Sequence, residues 1–386
     1  MLKKILLSFR GIIALFSYSF NLFFFGMILF IFAFIRILFP WDAWRTYFYK
    51  HMNRFPTYWA DVNCFIMKTI SRVKLATDDL HELNPKGWYL VLPNHQSWAD
   101  IIILGNVFNR KIPLLKFFIK KELLWIPVLG LTCRTLHFPV MGRYSKDYLK
   151  KHPEMKGKDV ETTRKSCEKF KTIPTSIINF CEGTRFTKEK NLKQSSPFKF
   201  LLKPKAGGIA FVLEIMGDYL HQLLDVTLIY PPGQASAWQF LCGTMKCITV
   251  KTRLLPIHPE LLGNYENDIK FRQTFQKWLN ELWYEKDNLI LRMKQTTPVC
   301  KHYLISGKVQ GVWYRAFVEK QAKKRKITGW VRNLPDGRVE IVACACEIIL
   351  SEFKTYLYAG PPLARVENVE EEIISEPQIF NTFDLR

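Results

Sequence analysis

The hydrophobic pattern begins with a long apolar run. From Gly11 to Ile35 the chain holds 25 residues without a charge, and a helix needs about 20 apolar residues to span the hydrocarbon core of a bilayer. Trp41, Trp44 and Tyr47 follow the run, as is typical of a membrane–water interface. The pattern predicts a membrane anchor. A cleaved signal peptide fits less well, because the run is too long and no small-residue cleavage site follows it.

Two arrangements of this anchor remain open. Basic residues lie on both sides of the apolar run, within 3–10 and 36–54, so the positive-inside rule does not choose an orientation. A single crossing fits the pattern. A helical hairpin that enters one leaflet and returns through residues 42–70 fits equally well.

Beyond this segment, short apolar runs alternate with helical patterns. Apolar runs of strand length, such as 88–93, 176–181 and 224–230, alternate with helical patterns such as 97–108 and 206–216. This alternation predicts an α/β domain with a mostly parallel sheet. The other predicted elements are strands at 113–120 and 247–257 and helices at 122–134, 156–171 and 265–294.

A polar segment with a proline, 295–298, separates this pattern from a shorter one. The shorter pattern runs strand, helix, strand, turn, strand, helix and strand, which is the order of a ferredoxin-like α+β domain. The sequence therefore predicts three parts: a membrane-anchoring helical segment at 1–72, an α/β domain at 73–297 and an α+β domain at 298–386.

The net charge of +22 narrows the choice of partner. Almost all of the basic excess precedes Pro298, and such a field attracts nucleic acid, anionic lipid or phosphorylated substrates. The excess shares its part of the chain with the predicted membrane anchor. The aromatic residues lie in apolar runs, and no nucleic-acid-binding motif is present. We therefore expect membrane lipids, and no nucleic acid, as partners.

The nine cysteines show no spacing typical of a metal site. Their odd number and scattered positions predict reduced thiols, as in a cytoplasmic compartment. Cys344 and Cys346 would share one face of a strand, where packing is the simplest role.

A histidine and an aspartate lie close together in the segment NHQSWAD at 94–100, which follows an apolar strand and opens a helix. A carboxylate five residues after a histidine can fold back onto the imidazole, fix its tautomer and stabilise its charged form. His95 could then take a proton from a hydroxyl, with Asp100 behind it. A capping histidine with an aspartate in the first helical turn would give the same pattern.

The segment FCEGTR at 180–185 follows another apolar strand. Gly183 would let the backbone approach a ligand closely, and Arg185 could clamp a phosphate through two hydrogen bonds. Glu182 could accept a hydrogen bond from a glycerol hydroxyl or orient the arginine. A surface turn with an ion pair is the alternative. Two further segments are FPVMGR at 138–143 and LLKPKAGG at 201–208.

In order and spacing, these four segments resemble the glycerolipid acyltransferase family over about residues 80–260. Best known in that family are enzymes that acylate 1-acylglycerol-3-phosphate. The details MGRYSK and CEGTRFT are most similar to the branch that reacylates lysocardiolipin and lysophosphatidylinositol and to its bacterial relatives. The resemblance implies that His95 is the general base and that Asp100 orients it. It implies substrate binding by Arg143, Glu182, Gly183, Thr184, Arg185, Lys203 and Pro204.

This resemblance implies a reaction at the membrane without a cofactor. A lysophospholipid, either lysophosphatidic acid or a relative, would accept a fatty acyl group from acyl-CoA or acyl-carrier protein. The polyanionic donor suits a basic surface, and no Ser or Cys nucleophile is evident. The implied location is a bacterial inner membrane, with both catalytic domains on the cytoplasmic side.

The last domain has a loop of its own that suits phosphate. Residues 307–315, GKVQGVWYR, join a strand to a helix, and backbone N–H groups of such a loop can cradle a phosphate. Asn333 lies before a Pro-Asp-Gly turn. Across 301–386 the chain resembles acylphosphatases, which implies that Arg315 and Gly311 bind the phosphate of an acyl phosphate and that Asn333 positions the attacking water.

Two alternatives to these readings remain open. The last domain could be a phosphate-binding module with little turnover. The whole chain could be a membrane-anchored acylphosphatase whose large domain only binds lipid.

Overall fold

The computed structural model describes residues 2–38, 41–120, 124–125, 127–136, 138–141, 170, 174–220, 222–231, 235–245, 247–296, 298–374 and 380–386. The chain divides into two compact units, 1–285 and 286–386. Apart from Phe170, the helix predicted at 156–171 lies outside the described residues. So does Arg143.

Three helices open the first unit: α1 (Leu2–Leu38), α2 (Asp42–Met52) and α3 (Phe55–Ile66), which continues as a π-helical turn at Met67–Ser71. Within α1, Lys4–Arg36 is long and apolar enough to cross a membrane by length and composition. Asn21 of α1 is buried, and its Nδ2 donates to Asn63 Oδ1 of α3 at 2.8 Å. The first and third helices therefore pack against each other.

The strands of the following chain are β1 (Lys74–Thr77), β2 (Tyr89–Pro93), β3 (Leu115–Phe117), β4 (Ile119–Lys120), β5 (Val140–Met141), β6 (Ser176–Ile178), β7 (Gln222–Ile229) and β8 (Cys247–Pro256). Six of them build one sheet with the order β1-β8-β7-β2-β6-β3, and β4 pairs with β5 in a second sheet. Neighbouring strands of the six-stranded sheet are parallel except β7 and β8, so the prediction of an α/β domain with a mostly parallel sheet is confirmed.

Helices cover this sheet and complete its core. All five residues of β2 are buried, as expected for a central parallel strand with both faces covered. One core cluster joins β2 and β7 to the first helix after β2. The helices are α4 (Asp100–Phe108), α5 (Pro127–Thr135), α6 (Lys188–Lys193), α7 (Gly207–Met216), α8 (Ala237–Cys242) and α9 (Ile269–Thr296).

Two predicted boundaries were wrong for identifiable reasons. The helix predicted from Ser97 begins at Asp100, because the N–H groups of Gln96 and Ser97 bond to the Asp100 carboxylate instead of entering the helix. Of the helix predicted at 122–134, the structure describes α5 (Pro127–Thr135), and the predicted start at residue 122 lies outside the described residues. The strand predicted at 113–120 divides into β3 and β4, which belong to different sheets.

The second unit confirms the predicted ferredoxin-like order. Its elements are β9 (Pro298–Lys308), α10 (Tyr314–Lys324), β10 (Thr328–Asn333), β11 (Val339–Cys346), α11 (Glu347–Ala359), β12 (Arg365–Ile373) and β13 (Phe383–Leu385). The sheet has the order β12-β9-β11-β10-β13, and the core forms between this sheet and the two helices. The edge strand β13 was not predicted.

A disulfide corrects the prediction of reduced thiols. Cys300 of β9 lies directly opposite Cys344 of β11 in the antiparallel ladder, and the two are bonded, with 4.0 Å between their Cα atoms. Strand register brings them together across 44 residues of sequence, and spacing alone does not reveal it. Cys346 remains a free thiol.

Candidate active sites

The loop that carries His95 is fixed to the neighbouring strand. It leaves the carboxyl end of β2, and the buried Asn94 side chain bonds to the backbone of Leu228 in β7 in both directions. Asn94 Oδ1 accepts from Leu228 N at 2.7 Å, and Asn94 Nδ2 donates to Leu228 O at 3.0 Å. These bonds hold the loop at the carboxyl end of the strands, so the backbone that carries the imidazole is fixed.

His95 and Asp100 are in contact, as the five-residue spacing predicted. His95 Nδ1 lies 2.8 Å from Asp100 Oδ2, which also accepts from the backbone N–H of Gln96 at 2.8 Å and of Ser97 at 3.0 Å. Asp100 is fully buried, and the His95 side chain is 20% exposed. With Nδ1 donating to the carboxylate, Nε2 keeps its lone pair and can accept a proton.

Tyr230, which the sequence did not predict, completes this arrangement. Its hydroxyl donates a hydrogen bond to Asp100 Oδ1, so both carboxylate oxygens have donors. Burial, together with the Asp100 charge, raises the pKa of Tyr230 well above its usual value, which keeps the hydroxyl protonated as a donor. Its position just after β7 could have indicated this contact. Because β7 pairs with β2 in parallel, the residues that follow the two strands lie at the same end of the sheet.

Glu182 joins the histidine loop to a second loop. It is fully buried; its Oε1 accepts from His95 N at 3.0 Å and its Oε2 from Leu202 N at 2.9 Å. The predicted direct contact of this carboxylate with a glycerol hydroxyl does not fit that burial. Its position instead suits the ordering of the backbone around His95.

The rest of the EGTR segment lies beside the histidine. Phe186 N donates to His95 O at 2.8 Å, and the Arg185 guanidinium lies 4.2 Å from the centre of the Trp98 ring. Lys190 Nζ donates to Thr184 Oγ1 at 2.8 Å. Gly183 has φ +68°, in the left-handed region that favours glycine. Two cations therefore lie at the loop that contacts His95.

The loop with Lys203 and Pro204 adjoins the same region. Lys205 N donates to Cys181 O at 2.9 Å, Gln276 Nε2 of α9 lies 3.3 Å from Pro204 O, and Lys203 is exposed. The structure thus brings together every predicted site residue of the first unit that it describes, whereas Arg143 lies outside the described residues.

The loop of the second unit is tied to the β10–β11 turn. Gln310 Nε2 donates to Leu334 O at 2.9 Å and to Arg338 O at 2.8 Å, and this link was not predicted. Asn333, which precedes Leu334, is exposed at the end of β10. Gly311 has φ +71° with open space around its α-carbon, so its backbone conformation rather than crowding favours glycine.

Arg315 is the last residue of loop 307–315 and lies in the first turn of α10. Its Nη1 donates to Arg386 O at 3.3 Å, and the side chain is exposed. The loop thus carries Arg315 itself and is tied through Gln310 to Leu334, the residue after Asn333. Among the residues that the structure describes, no group of three His, Cys, Asp or Glu side chains could hold a metal ion.

Comparisons with known proteins match different families in the two parts of the chain. Residues 74–230 match the family model for Acyltransferase, and residues 301–385 match the one for Acylphosphatase. The acylphosphatase of Legionella pneumophila strain Corby is 53% identical over 72 residues, which are 19% of this chain and 79% of the relative. Through its last domain the chain belongs to the acylphosphatase family. A second acylphosphatase, from Coxiella burnetii strain RSA 493, is 44% identical over 87 residues, 22% of this chain and 92% of the relative.

Solved structures resemble each part separately. An acylphosphatase from Coxiella burnetii matches with 42% identity and a TM-score of 0.23, covering 23% of this chain and 93% of that one. The 1-acyl-sn-glycerophosphate (LPA) acyltransferase PlsC from Thermotoga maritima matches with 18% identity and a TM-score of 0.41, covering 73% of this chain and 98% of that one. The second likeness is too distant to bear on substrate. His95, Asp100, Glu182 and Tyr230 lie within the acyltransferase match.

Proposed function

We propose that the acyltransferase unit esterifies the free hydroxyl of a lysophospholipid, either lysophosphatidic acid or a relative, at a membrane. The acyl donor is acyl-CoA or acyl-carrier protein. One observation carries the proposal: a partly exposed imidazole whose Nδ1 contacts a buried aspartate, beside a loop with an arginine.

In this mechanism His95 acts as a general base. Its Nε2 takes the proton of the glycerol hydroxyl as the oxygen attacks the thioester carbonyl, and Asp100 stabilises the imidazolium that forms. Collapse of the tetrahedral intermediate breaks the carbon–sulfur bond, and the proton passes from His95 to the leaving thiolate. Arg185 and Lys190 hold the glycerophosphate by charge.

The packing of α1 supports attachment to one leaflet. Gly11 lies so close to α8 that a Cβ there would come within 2.6 Å of Cys242 Sγ. Further along, Leu29 forms a buried cluster with Met52 and Leu136. These contacts are about 27 Å apart along the helix, close to the roughly 30 Å of a bilayer core, so a helix held to the unit at both points lies along it.

The outward face of α1 is apolar and suits lipid. Phe9, Phe16 and Phe20 are 61%, 71% and 58% exposed, and exposed apolar surface on this scale marks a contact with lipid or protein. We place both units on the cytoplasmic side of a bacterial inner membrane, where the acyl donors are. The Cys300–Cys344 disulfide weighs against a reducing compartment, so the side is best tested by labelling the exposed Cys247 in sealed vesicles.

For the acylphosphatase unit we propose hydrolysis of acyl phosphates. The backbone N–H groups of loop 307–315 and the Arg315 guanidinium would hold the phosphate, and Asn333 would orient the attacking water. The link from Gln310 to the turn beyond Asn333 supports this assignment, because it ties the cradle to the water-orienting side chain.

Two assays on the full chain in detergent test these activities separately. The first supplies labelled acyl-CoA or acyl-carrier protein with a panel of lysophospholipids and measures the diacyl product. The second measures phosphate released from benzoyl phosphate. Product in the second assay alone would leave a membrane-anchored acylphosphatase whose first unit binds lipid. Phosphate binding without release would leave a binding module.

A further inference from the structure

Exposed apolar side chains are concentrated at one place in the acylphosphatase unit. Of the side chains that the structure describes after residue 285, four large apolar ones are prominently exposed: Trp313 at 79%, Leu363 at 68%, Leu385 at 48% and Tyr358 at 47%. We call these four residues the apolar rim. Single exposed apolar residues are common on protein surfaces, but a group around one feature is informative.

Two segments of the rim lie against the phosphate loop. Trp313 is part of the loop, between Gly311 and Arg315. The turn that carries Leu363 begins at Gly360, where an added Cβ would come within 3.4 Å of the Tyr314 ring. Its other end leads into β12, whose Arg365 pairs with Lys308 at the start of the loop.

The remaining two rim residues also adjoin this loop. Tyr358 follows Leu357, whose carbonyl accepts from Tyr314 Oη at 2.6 Å. Leu385 precedes Arg386, whose carbonyl accepts from Arg315 Nη1. Each rim residue therefore belongs to the loop 307–315, or is next to a residue that contacts the loop, or lies in a turn packed against it.

The backbone at Trp313 supports a binding role. Its φ is +63°, in the left-handed region that costs an L residue energy and that glycine adopts freely. Strained residues of this kind cluster at ligand sites. The chain keeps a large, exposed indole at this position, next to the predicted phosphate cradle.

We infer that the apolar rim binds the hydrocarbon chain of the substrate, so that the unit prefers acyl phosphates of medium or long chain over acetyl phosphate. The inference rests on the proposed hydrolysis. Water attacks phosphorus, the bond between phosphorus and the carboxyl oxygen breaks, and a fatty acid carboxylate and inorganic phosphate leave with the water's protons. The phosphate occupies the loop while the chain lies across the indole, because each buried methylene favours binding.

The test compares octanoyl phosphate with acetyl phosphate, both dissolved as monomers, using the full chain in detergent. We expect kcat/KM to be at least about tenfold higher for octanoyl phosphate. Trp313→Asn should lower the octanoyl-to-acetyl ratio about tenfold, because asparagine tolerates the left-handed backbone but offers no apolar surface. Leu363→Asn is a second variant in case the first does not fold, and Leu192→Asn, at a residue 77% exposed in the first unit, is the control whose ratio stays unchanged.

The outcomes distinguish this inference from the proposed function. If neither compound releases phosphate above the buffer rate, the proposed hydrolysis is wrong. If both are hydrolysed with equal kcat/KM, and neither rim variant changes the ratio, the rim does not bind the chain. A Trp313→Asn variant that slows hydrolysis only when lipid vesicles are present would make the rim a membrane contact and would also overturn the inference.

Discussion

At the residue scale, the acyltransferase site depends on one buried carboxylate. Asp100 accepts hydrogen bonds from the His95 imidazole, from two backbone N–H groups and from the Tyr230 hydroxyl. A buried charge is tolerated when donors surround it in this way. The orientation and tautomer of the His95 imidazole therefore depend on Asp100 and on the groups that donate to it, none of which contacts substrate in the proposed mechanism.

Removing the tyrosine hydroxyl tests this dependence. Tyr230→Phe should lower kcat for acyl transfer about tenfold and leave KM for the lysophospholipid within about twofold, because a hydrogen bond to a charged group contributes about 1.5–3 kcal/mol. Steady-state kinetics and the pH profile of kcat would measure the change. Tyr284→Phe, at an exposed tyrosine, is the matched control. An unchanged kcat in the Tyr230 variant would show that Asp100 does not need this donor.

Glu182 allows positioning and binding to be separated. In Glu182→Gln the amide group would face one of the two backbone N–H donors, so one bond is lost and the loop of His95 loosens. We expect kcat to fall about tenfold and the free energy of unfolding to drop by about 1–3 kcal/mol. KM for the acceptor should change little. If KM for the acceptor instead rises and kcat is preserved, Glu182 contacts the substrate directly, as the sequence suggested.

Substitution of Arg185 should raise KM for the acceptor, in contrast to Glu182→Gln, which should lower kcat. Arg185→Ala removes a guanidinium that we assign to the glycerophosphate, so KM for the acceptor should rise about tenfold or more, with a smaller effect on KM for the donor. Arg110→Ala removes an exposed arginine paired with Asp61 and serves as the control. Equal effects of Arg185→Ala on both Michaelis constants would contradict the assignment.

Some contacts of the site could be predicted from the sequence and others could not. The contact between His95 and Asp100 follows from spacing, because the two residues flank one strand-to-helix turn. Tyr230 is 130 residues from Asp100, and only the parallel pairing of β7 with β2 brings it there. The burial of Glu182 could not be predicted either. An acidic residue in a turn with a glycine is expected to be exposed unless its backbone partners are known.

At the element scale, α1 has two faces with different roles. Ala14 and Leu29 are buried against the unit, whereas Phe16 and Phe20 point outward. Deleting the helix would therefore damage the core as well as the anchor. Substitutions on the outward face test the anchor alone.

The double variant Phe16→Glu with Phe20→Glu should weaken binding to lipid vesicles at least about hundredfold, because each buried phenylalanine contributes about 1.5–3 kcal/mol. Flotation with vesicles measures the bound fraction, and circular dichroism confirms that the fold is kept. The control is Leu192→Glu, an exposed apolar residue of α6. If the double variant still floats fully after a high-salt wash, the anchor lies elsewhere.

The elements were predicted unevenly, and the reasons are physical. Long apolar or amphipathic runs gave β2, α7, β7, β8 and α9 within a few residues, because burial fixes their pattern. The six-residue helices α6 and α8 carry too little periodicity to be recognised. The strand β13 was missed because it has three residues and its place depends on pairing with β10.

At the scale of the whole molecule, one chain carries a unit that matches the Acyltransferase model and a unit of the acylphosphatase family, and we propose that both act on activated acyl groups. The acyltransferase would use a thioester and the acylphosphatase a carboxyl–phosphate anhydride. The basic excess belongs to the part of the chain with the apolar helix α1, where anionic lipids and acyl donors would gather. The ferredoxin-like order could be predicted from the sequence, whereas the Cys300–Cys344 disulfide could not, because it depends on strand register.

The most direct test of the proposed acyl-transfer mechanism is the rate of His95→Ala, measured with labelled acyl-CoA and the preferred lysophospholipid. A general base contributes about 10²–10⁴-fold, so the variant should lose at least about 99% of the rate while still binding the lysophospholipid. His81→Ala, at a histidine whose side chain is 92% exposed beside Asp79, should keep the parental rate. A His95→Ala enzyme that retains more than about a tenth of that rate would contradict the assignment of His95 as the base.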